Sequence, residues 1–116
     1  MAPVKLSLDI KQGDTFHEEW GWTDSVGAPV PLAGCTALMQ LRAWVGAGVA
    51  LELSTENGRI ALSDGLIVLD VPATDMQALT LSSGVFDLQI EYADGRVATL
   101  ATGRFQVSPD IAIRGQ

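Results

Sequence analysis

The chain has 116 residues, 47% of them hydrophobic and only 18% charged, with a formal net charge of −7. This composition excludes a disordered chain, and no apolar stretch reaches the ~18 residues that a membrane span needs. The acidic balance argues against nucleic-acid binding, because DNA phosphates repel a negative surface. We therefore expect one domain over residues 1–116 that binds neither nucleic acid nor membrane.

Apolar and polar residues alternate with a period of two along most of the chain, which predicts half-buried β-strands. In the first strand, Lys5 to Lys11, the residues Leu6, Leu8 and Ile10 share one face. The other predicted strands, in chain order, are 16–22, 37–43, 49–53, 60–62, 67–71, 86–92 and 97–107. About eight short strands at this spacing favour a sandwich or a barrel.

Turn-forming residues separate the predicted strands. Asn57-Gly58, Asp64-Gly65 and Asp94-Gly95 supply residues that tolerate the positive φ of a tight turn. Asp94-Gly95 lies between two strongly alternating strands and is the clearest hairpin prediction. Segment 24–31 contains two prolines, which lack the N–H of a sheet ladder, so we predict a loop or an edge there.

Residues 73–79 depart from the β pattern and are predicted to form a short helix that bridges two sheets. Thr74, with Gln77 three residues later, fits a capping box at the start of this helix. Asp75 would lie near the positive end of the helix dipole.

The sequence offers few side chains for catalysis or metal binding. His17 is the single histidine and has acidic neighbours, namely Glu18, Glu19, Asp14 and Asp24. Alternation sends Glu18 to the opposite face from His17 and Glu19, so these three cannot converge on one ion. A solvated strand face is therefore favoured over a metal site.

Cys35 has no basic residue nearby in the sequence and is interpreted as a small buried hydrophobe. The sequence contains neither the Gly-x-Ser-x-Gly motif of hydrolases nor a phosphate-binding glycine loop. We therefore expect no enzymatic activity, no cofactor and no bound metal.

The three tryptophans remain as candidates for recognition. Trp20 and Trp22 share an apolar strand face, which favours packing in the core. Trp44 lies on the opposite face of its strand from the core, beside the glycines Gly46 and Gly48. This placement makes Trp44 and the Gly46–Gly48 loop one predicted interface, with core packing of Trp44 as the alternative.

Two further interfaces are predicted from turn and strand position. One is the loop 24–31, with Pro29 and Val30. The other is the first strand, with Leu6 and Leu8, because terminal strands often pair with a neighbouring chain.

Several stretches, spread over nearly the whole chain, resemble one family of small tailed-phage and prophage proteins. They are the alternating strand from Lys5 into Gln12-Gly13-Asp14-Thr15-Phe16, then Trp20 with Trp22-Thr23-Asp24, Gly27 to Ala37, Met39 to Arg42, Thr55 to Ile60, the turn Pro72 to Asp75, Tyr92 to Gly103, and Val107 to Pro109. In these respects the chain is similar to the N-terminal immunoglobulin-like domain of phage baseplate upper proteins, which attaches receptor-binding or fibre modules to the tail tip. Pro31 replaces an aspartate of the family pattern, and Cys35 is a second departure.

The resemblance implies an immunoglobulin-like antiparallel β-sandwich of about eight strands with one short helix. It also implies a structural protein of the virion that is made in the bacterial host cytoplasm and contacts other virion structural proteins and copies of itself. The alternative from a different class is a β-sandwich module that binds carbohydrate or the host surface. In that case Trp44 and Trp22 would serve as stacking platforms.

Overall fold

The computed structural model describes residues 3–109, so residues 1–2 and 110–116 of the predicted domain lie outside the described part. Eight strands and one short helix follow one another in the described range. They are β1 (Val4–Lys11), β2 (Phe16–Gly21), β3 (Thr36–Arg42), β4 (Val49–Ser54), β5 (Ile60–Ser63), β6 (Leu66–Val71), α1 (Ala73–Met76), β7 (Ser83–Glu91) and β8 (Val97–Ser108).

The strands form a sandwich of two sheets, which confirms the predicted all-β class and its single short helix. The larger sheet has the order β1-β8-β7-β3-β4 and the smaller one the order β2-β6-β5. The order is immunoglobulin-like, with consecutive strands divided between two facing sheets. β1 pairs in parallel with β8, whereas all other named strand pairs are antiparallel. The parallel pair is a departure from the fully antiparallel prediction, and it arises because β2 crosses to the other sheet instead of forming a hairpin with β1.

The inward faces of both sheets build one hydrophobic core. Its fully buried side chains come from every layer of the sandwich: Phe105, Met39, Leu41, Leu53, Leu69, Met76, Leu79, Leu88, Ile90 and Val71. Within residues 3–109, no polar or charged residue is buried. Each such apolar side chain contributes about 1.5–3 kcal/mol through its removal from water. Burial of the apolar face of each alternating strand is therefore the main source of stability.

A β-bulge interrupts the alternation of β8. Leu88 pairs with Ala101 and the next residue, Gln89, pairs with Thr99, so Leu100 has no partner across the strand. Leu100 and Ala101 are consequently both buried. The bulge shifts the inward positions of β8 by one residue, which a strict period of two does not predict.

The predicted hairpin at Asp94-Gly95 is confirmed. Tyr92 and Arg96 are joined by a backbone hydrogen bond of 2.8 Å, and Gly95 has a φ of 89°. The turn joins β7 to β8 and leads the chain back across the larger sheet.

The predicted helix is present, but the capping box is wrong. Pro72 is the N-cap, no side chain caps the helix, and Thr74 lies within the first turn. The carbonyl of Pro72 accepts the N–H groups of Asp75 and Met76 at 3.0 and 3.1 Å, so α1 starts one residue before the expected cap. An ion pair of 2.9 Å between Arg59 and Asp75 ties the helix to the segment before β5.

Candidate functional site

The loop between β3 and β4 presents two large apolar side chains to solvent at one end of the sandwich. Trp44 is 67% exposed and its neighbour Val45 is 88% exposed. The structure therefore excludes core packing of Trp44, and its role in an interface stays a prediction. We call these two residues the apolar tip. Val45 was not singled out from the sequence, because it follows the end of the strand and alternation assigns it no face.

Hydrogen bonds hold the apolar tip in place. The guanidinium of Arg42 donates to the carbonyl of Ala47 and, at 2.8 Å, to Oε1 of Gln40. Gln40 in turn donates to Oε1 of Glu52 on β4 at 2.7 Å. Ala47 N–H donates to the carbonyl of Trp44 at 3.0 Å and closes the turn. The loop is thus ordered by the chain itself, and a partner need not order it on binding.

The two predicted glycines of this loop have different roles. Gly46 is exposed and has a φ of 92°, a conformation that side-chain-bearing residues rarely adopt. Gly48 is also exposed, has no such φ, and a Cβ there would meet open space. Gly46 therefore shapes the loop that presents the apolar tip, whereas Gly48 only joins the loop to β4.

A shallow depression of about 270 Å³ with a mixed polar and apolar lining lies beside Val45 on the outer face of the larger sheet. Its polar lining comes from Gln40, Arg42, Asp87, Gln89 and Thr102, and Val45 and Gly46 contribute from the loop. The amide, carboxylate and hydroxyl groups of this lining can hydrogen-bond a polyhydroxylated ligand.

A second loop presents one exposed valine. The carboxylate of Asp24 accepts the N–H groups of Val26 and Ala28, each at 3.0 Å, which closes a tight turn. Thr23 and Pro29 form an isolated antiparallel bridge at its base. Val26 at the top of the turn is 84% exposed. The prediction of a loop over 24–31 is confirmed.

The two residues predicted as an interface in this loop differ in exposure. Pro29 is exposed, whereas Val30 is half-buried and packs against the core. Val30 N–H donates to the Trp22 carbonyl at 3.1 Å, and Gly65 N–H donates to the Val30 carbonyl at 2.9 Å. Val30 thus anchors the loop, and Val26 is the apolar side chain that a partner can reach.

Strand register places the two loops at opposite ends of the molecule. Arg42, just before the apolar tip, pairs with Val85, at the end of the larger sheet where β1 and β8 finish. Trp22, just before the second loop, lines a groove with Val4 and Ala101 at the other end. The longest dimension of the molecule is 49 Å, so the exposed apolar groups can face two different neighbours.

β1 is the outermost strand of the larger sheet, as predicted for an edge. Leu6 is half-buried, whereas Leu8 is only 5% exposed, so the Leu8 side chain belongs to the core and offers a partner backbone groups alone. Val4 is 58% exposed. Between β1 and β2 an apolar groove of about 360 Å³ opens, with Trp20 and Trp22 in its wall.

The one histidine lies in a cluster of charges on the outer face of the smaller sheet. Its Nε2 is 2.9 Å from a carboxylate oxygen of Glu19 and its Nδ1 is 3.1 Å from one of Asp70. The hydrogen bond to Glu19, followed by that to Asp70, raises the pKa of His17 above its ordinary value of 6.5. The common face of His17 and Glu19 confirms the alternation. Asp70 was missed because it lies 53 residues away and reaches His17 only through the pairing of β2 with β6.

Cys35 is half-buried against the core, consistent with its interpretation as a small hydrophobe. Within the described part of the chain, no three His, Cys, Asp or Glu side chains are grouped in a way that could hold a metal ion. No helix among residues 3–109 is long and apolar enough to cross a membrane.

Comparison with known proteins gives no match to a protein-family model and no match among curated proteins. Among solved structures, the chain is similar to CopC from Methylosinus trichosporium OB3b, with a TM-score of 0.46 and 16% sequence identity. The match covers 97% of this chain and 90% of that chain.

Proposed function

We propose that the chain is a non-enzymatic structural component of a tailed-phage virion, in the tail, the baseplate or another attachment to the particle. It acts by contacts with other virion proteins and with copies of itself. The observation that carries this proposal is the apolar tip, Trp44 with Val45, exposed and held by the hydrogen bonds of Arg42. Tryptophan is enriched among the residues that dominate binding energy at protein interfaces.

The placement of exposed apolar groups at two ends supports the same proposal. Val26 lies at the far end of the sandwich from the apolar tip, so one molecule can bridge two neighbours. When one patch of a molecule contacts a different patch of its neighbour, repetition of that contact builds rings or stacks in symmetric assemblies. The phage particle as the place of assembly is supported by the residue-level resemblance to the baseplate upper protein domain.

The proposal is tested on particles from a phage that encodes this chain. Negative-stain microscopy with an antibody against the chain is expected to label the tail or its tip. Replacement of both apolar tip residues, Trp44→Ser with Val45→Ser, is expected to abolish labelling without a change in the circular dichroism of the purified chain. The matched control is Val97→Ser, which removes an exposed valine at the other end of the sandwich. Particles that carry no label with the natural chain would contradict the proposal.

The depression beside Val45, with its amide, carboxylate and hydroxyl groups, favours one alternative, a module that binds bacterial surface carbohydrate. Titration of surface polysaccharide into the chain would then change tryptophan fluorescence, and Trp44→Phe would remove that change while Trp20 and Trp22 remain. Unchanged fluorescence up to about millimolar ligand, the range of weak interactions, would exclude this alternative.

A further inference from the structure

We propose that the free edge of β1 pairs with β1 of a second copy, antiparallel and about a two-fold axis at Ser7, to join two larger sheets into one. The inference deepens the proposed function, on which it rests, because it names one partner of an assembly protein. Three features of β1 carry it: its free backbone groups, its charge pattern and its exposed valine.

The first feature is the set of backbone groups that point away from the sheet. Gln12 N–H donates to the Ser108 carbonyl at 2.9 Å, beyond the last register pair, Lys11 with Ser108. The N–H and C=O groups of successive residues in a strand point to opposite sides of the strand within the sheet. The groups of the even-numbered residues of β1 therefore point towards β8, and those of the odd-numbered residues point outwards. The carbonyl of Lys11 already accepts Asp14 N–H at 3.2 Å. Among residues 3–109, complete pairs of N–H and C=O groups without a hydrogen-bond partner therefore remain at Lys5, Ser7 and Asp9.

An antiparallel pair centred on Ser7 uses each of these groups. Ser7 lies opposite Ser7 of the second copy, and Lys5 lies opposite Asp9 of the second copy on both sides of the axis. Directly opposed residues of the hydrogen-bonded type exchange both N–H···O bonds. Three such pairs give about six backbone hydrogen bonds across the axis.

The second feature is charge. β1 holds both lysines of a chain whose net charge is −7, and the side chains of Lys5, Ser7 and Asp9 are all exposed. Among the described residues, neither Lys5 nor Asp9 forms an ion pair within the chain. The two-fold register sets each lysine against an aspartate. Lysine on an edge strand usually opposes pairing, but in this register each Lys5 lies opposite an aspartate, so the charges attract.

The third feature is the apolar face. In the same register Leu6 lies opposite Leu8, and Val4 opposite Ile10, of the second copy. Val4 is 58% exposed at the mouth of the groove between β1 and β2. Pairing would bring the edge of the second sheet beside Val4 and reduce its exposure, while Leu8 and Ile10 of each copy stay in their own core.

The test is sedimentation equilibrium of the full chain up to about 1 mM, because an interface of one strand pair is smaller than a standard one and correspondingly weak. We expect a monomer–dimer equilibrium. Lys5→Asp and Asp9→Lys each set like charges in register and are expected to weaken dimerisation about tenfold. A mixture of the two single variants is expected to form heterodimers, since the aspartate introduced in one chain would then face the lysine introduced in the other.

Lys11→Asp is the matched control, because it makes the same charge change on the same strand outside the paired region. A chain that stays monomeric over the whole range would overturn the proposal. So would a dimer that neither single variant weakens, or single variants that do not recover association when mixed. If the chain is monomeric but the antibody still finds it on virions, the dimer is overturned and the proposed function stands. If the chain is a dimer but is absent from virions, the proposed function is overturned and the dimer stands.

Discussion

Replacement of Gly103 by alanine tests the contact that holds β1 in the sandwich. Gly103 pairs with Leu6 across the parallel β1–β8 junction. A Cβ at Gly103 would fall on the backbone carbonyl of Leu6, well inside van der Waals contact. Because the obstacle is backbone and not a flexible side chain, relief requires that β1 itself moves away from β8.

The expected cost follows from two contributions. Overpacking of a well-packed site costs about 1–3 kcal/mol, and each weakened backbone hydrogen bond between β1 and β8 adds about 0.5–1.5 kcal/mol. Gly103→Ala should therefore lower the free energy of unfolding by roughly 2–4 kcal/mol. At a slope near 1.5 kcal/mol per molar urea, the unfolding midpoint falls by about 2 M.

The assay is urea unfolding followed by tryptophan fluorescence, since Trp20 and Trp22 line the groove beside β1. Two other glycines separate the effect of space from the effect of backbone angle. Gly48→Ala adds a Cβ in open space without a positive φ, so stability should stay constant or rise by up to about 1 kcal/mol. Gly46→Ala has open space but a φ of 92°, which should cost about 1 kcal/mol. Equal midpoints for Gly103→Ala and Gly48→Ala would show that the contact of Gly103 with the Leu6 backbone does not limit stability.

Three further predictions concern the core, the apolar tip and the histidine. Phe105→Ala removes a fully buried ring and should cost about 3–5 kcal/mol, measured by the same unfolding curves. Arg42→Ala removes the hydrogen bonds that hold the tip loop, so amide exchange at Ala47 should quicken while the global midpoint falls by less than that of Phe105→Ala. An NMR titration should place the pKa of His17 above 6.5, with a larger fall for Glu19→Gln than for Asp70→Asn. Because the pKa is raised, the ion pairs of His17 stabilise the fold at pH values below 6.5, and this contribution is lost as the pH rises through the pKa of the folded state. A measured pKa of 6.5 or lower would contradict the hydrogen bonds of His17 with Glu19 and Asp70.

The strands were predictable because alternation is a local signal. The pattern from Lys5 to Lys11 places Leu8 and Ile10 in the core, where the structure has them. The Asp94-Gly95 hairpin was predictable for the same reason, since its two strands are adjacent in the chain. Local periodicity and turn chemistry therefore account for most of the elements and for the core face of each.

Features that depend on pairing between distant segments were not predictable. The parallel β1–β8 pair joins the two ends of the domain, and the meeting of His17 with Asp70 requires the β2–β6 register. The bulge at Leu100 breaks the period from within a strand. The start of α1 depended on the backbone of Pro72 and not on the side chain of Thr74.

Among the residues of the candidate surfaces, those whose exposure follows from the strand pattern were predictable, and those whose exposure depends on loop geometry were not. Trp44 was singled out from its place at the end of an alternating strand, and the structure exposes it. Val45 and Val26 owe their exposure to loop geometry set by Arg42 and Asp24, which only the folded chain reveals. Val30, by contrast, is drawn towards the core by hydrogen bonds with Trp22 and Gly65.

The most direct test of the proposed role is the copy number of this chain in gradient-purified phage particles, determined by quantitative mass spectrometry against the other particle proteins. We expect a fixed, whole-number ratio to the tail or baseplate proteins that persists through repeated purification. Loss of the chain to trace amounts, while the remaining virion proteins keep their ratios, would contradict it.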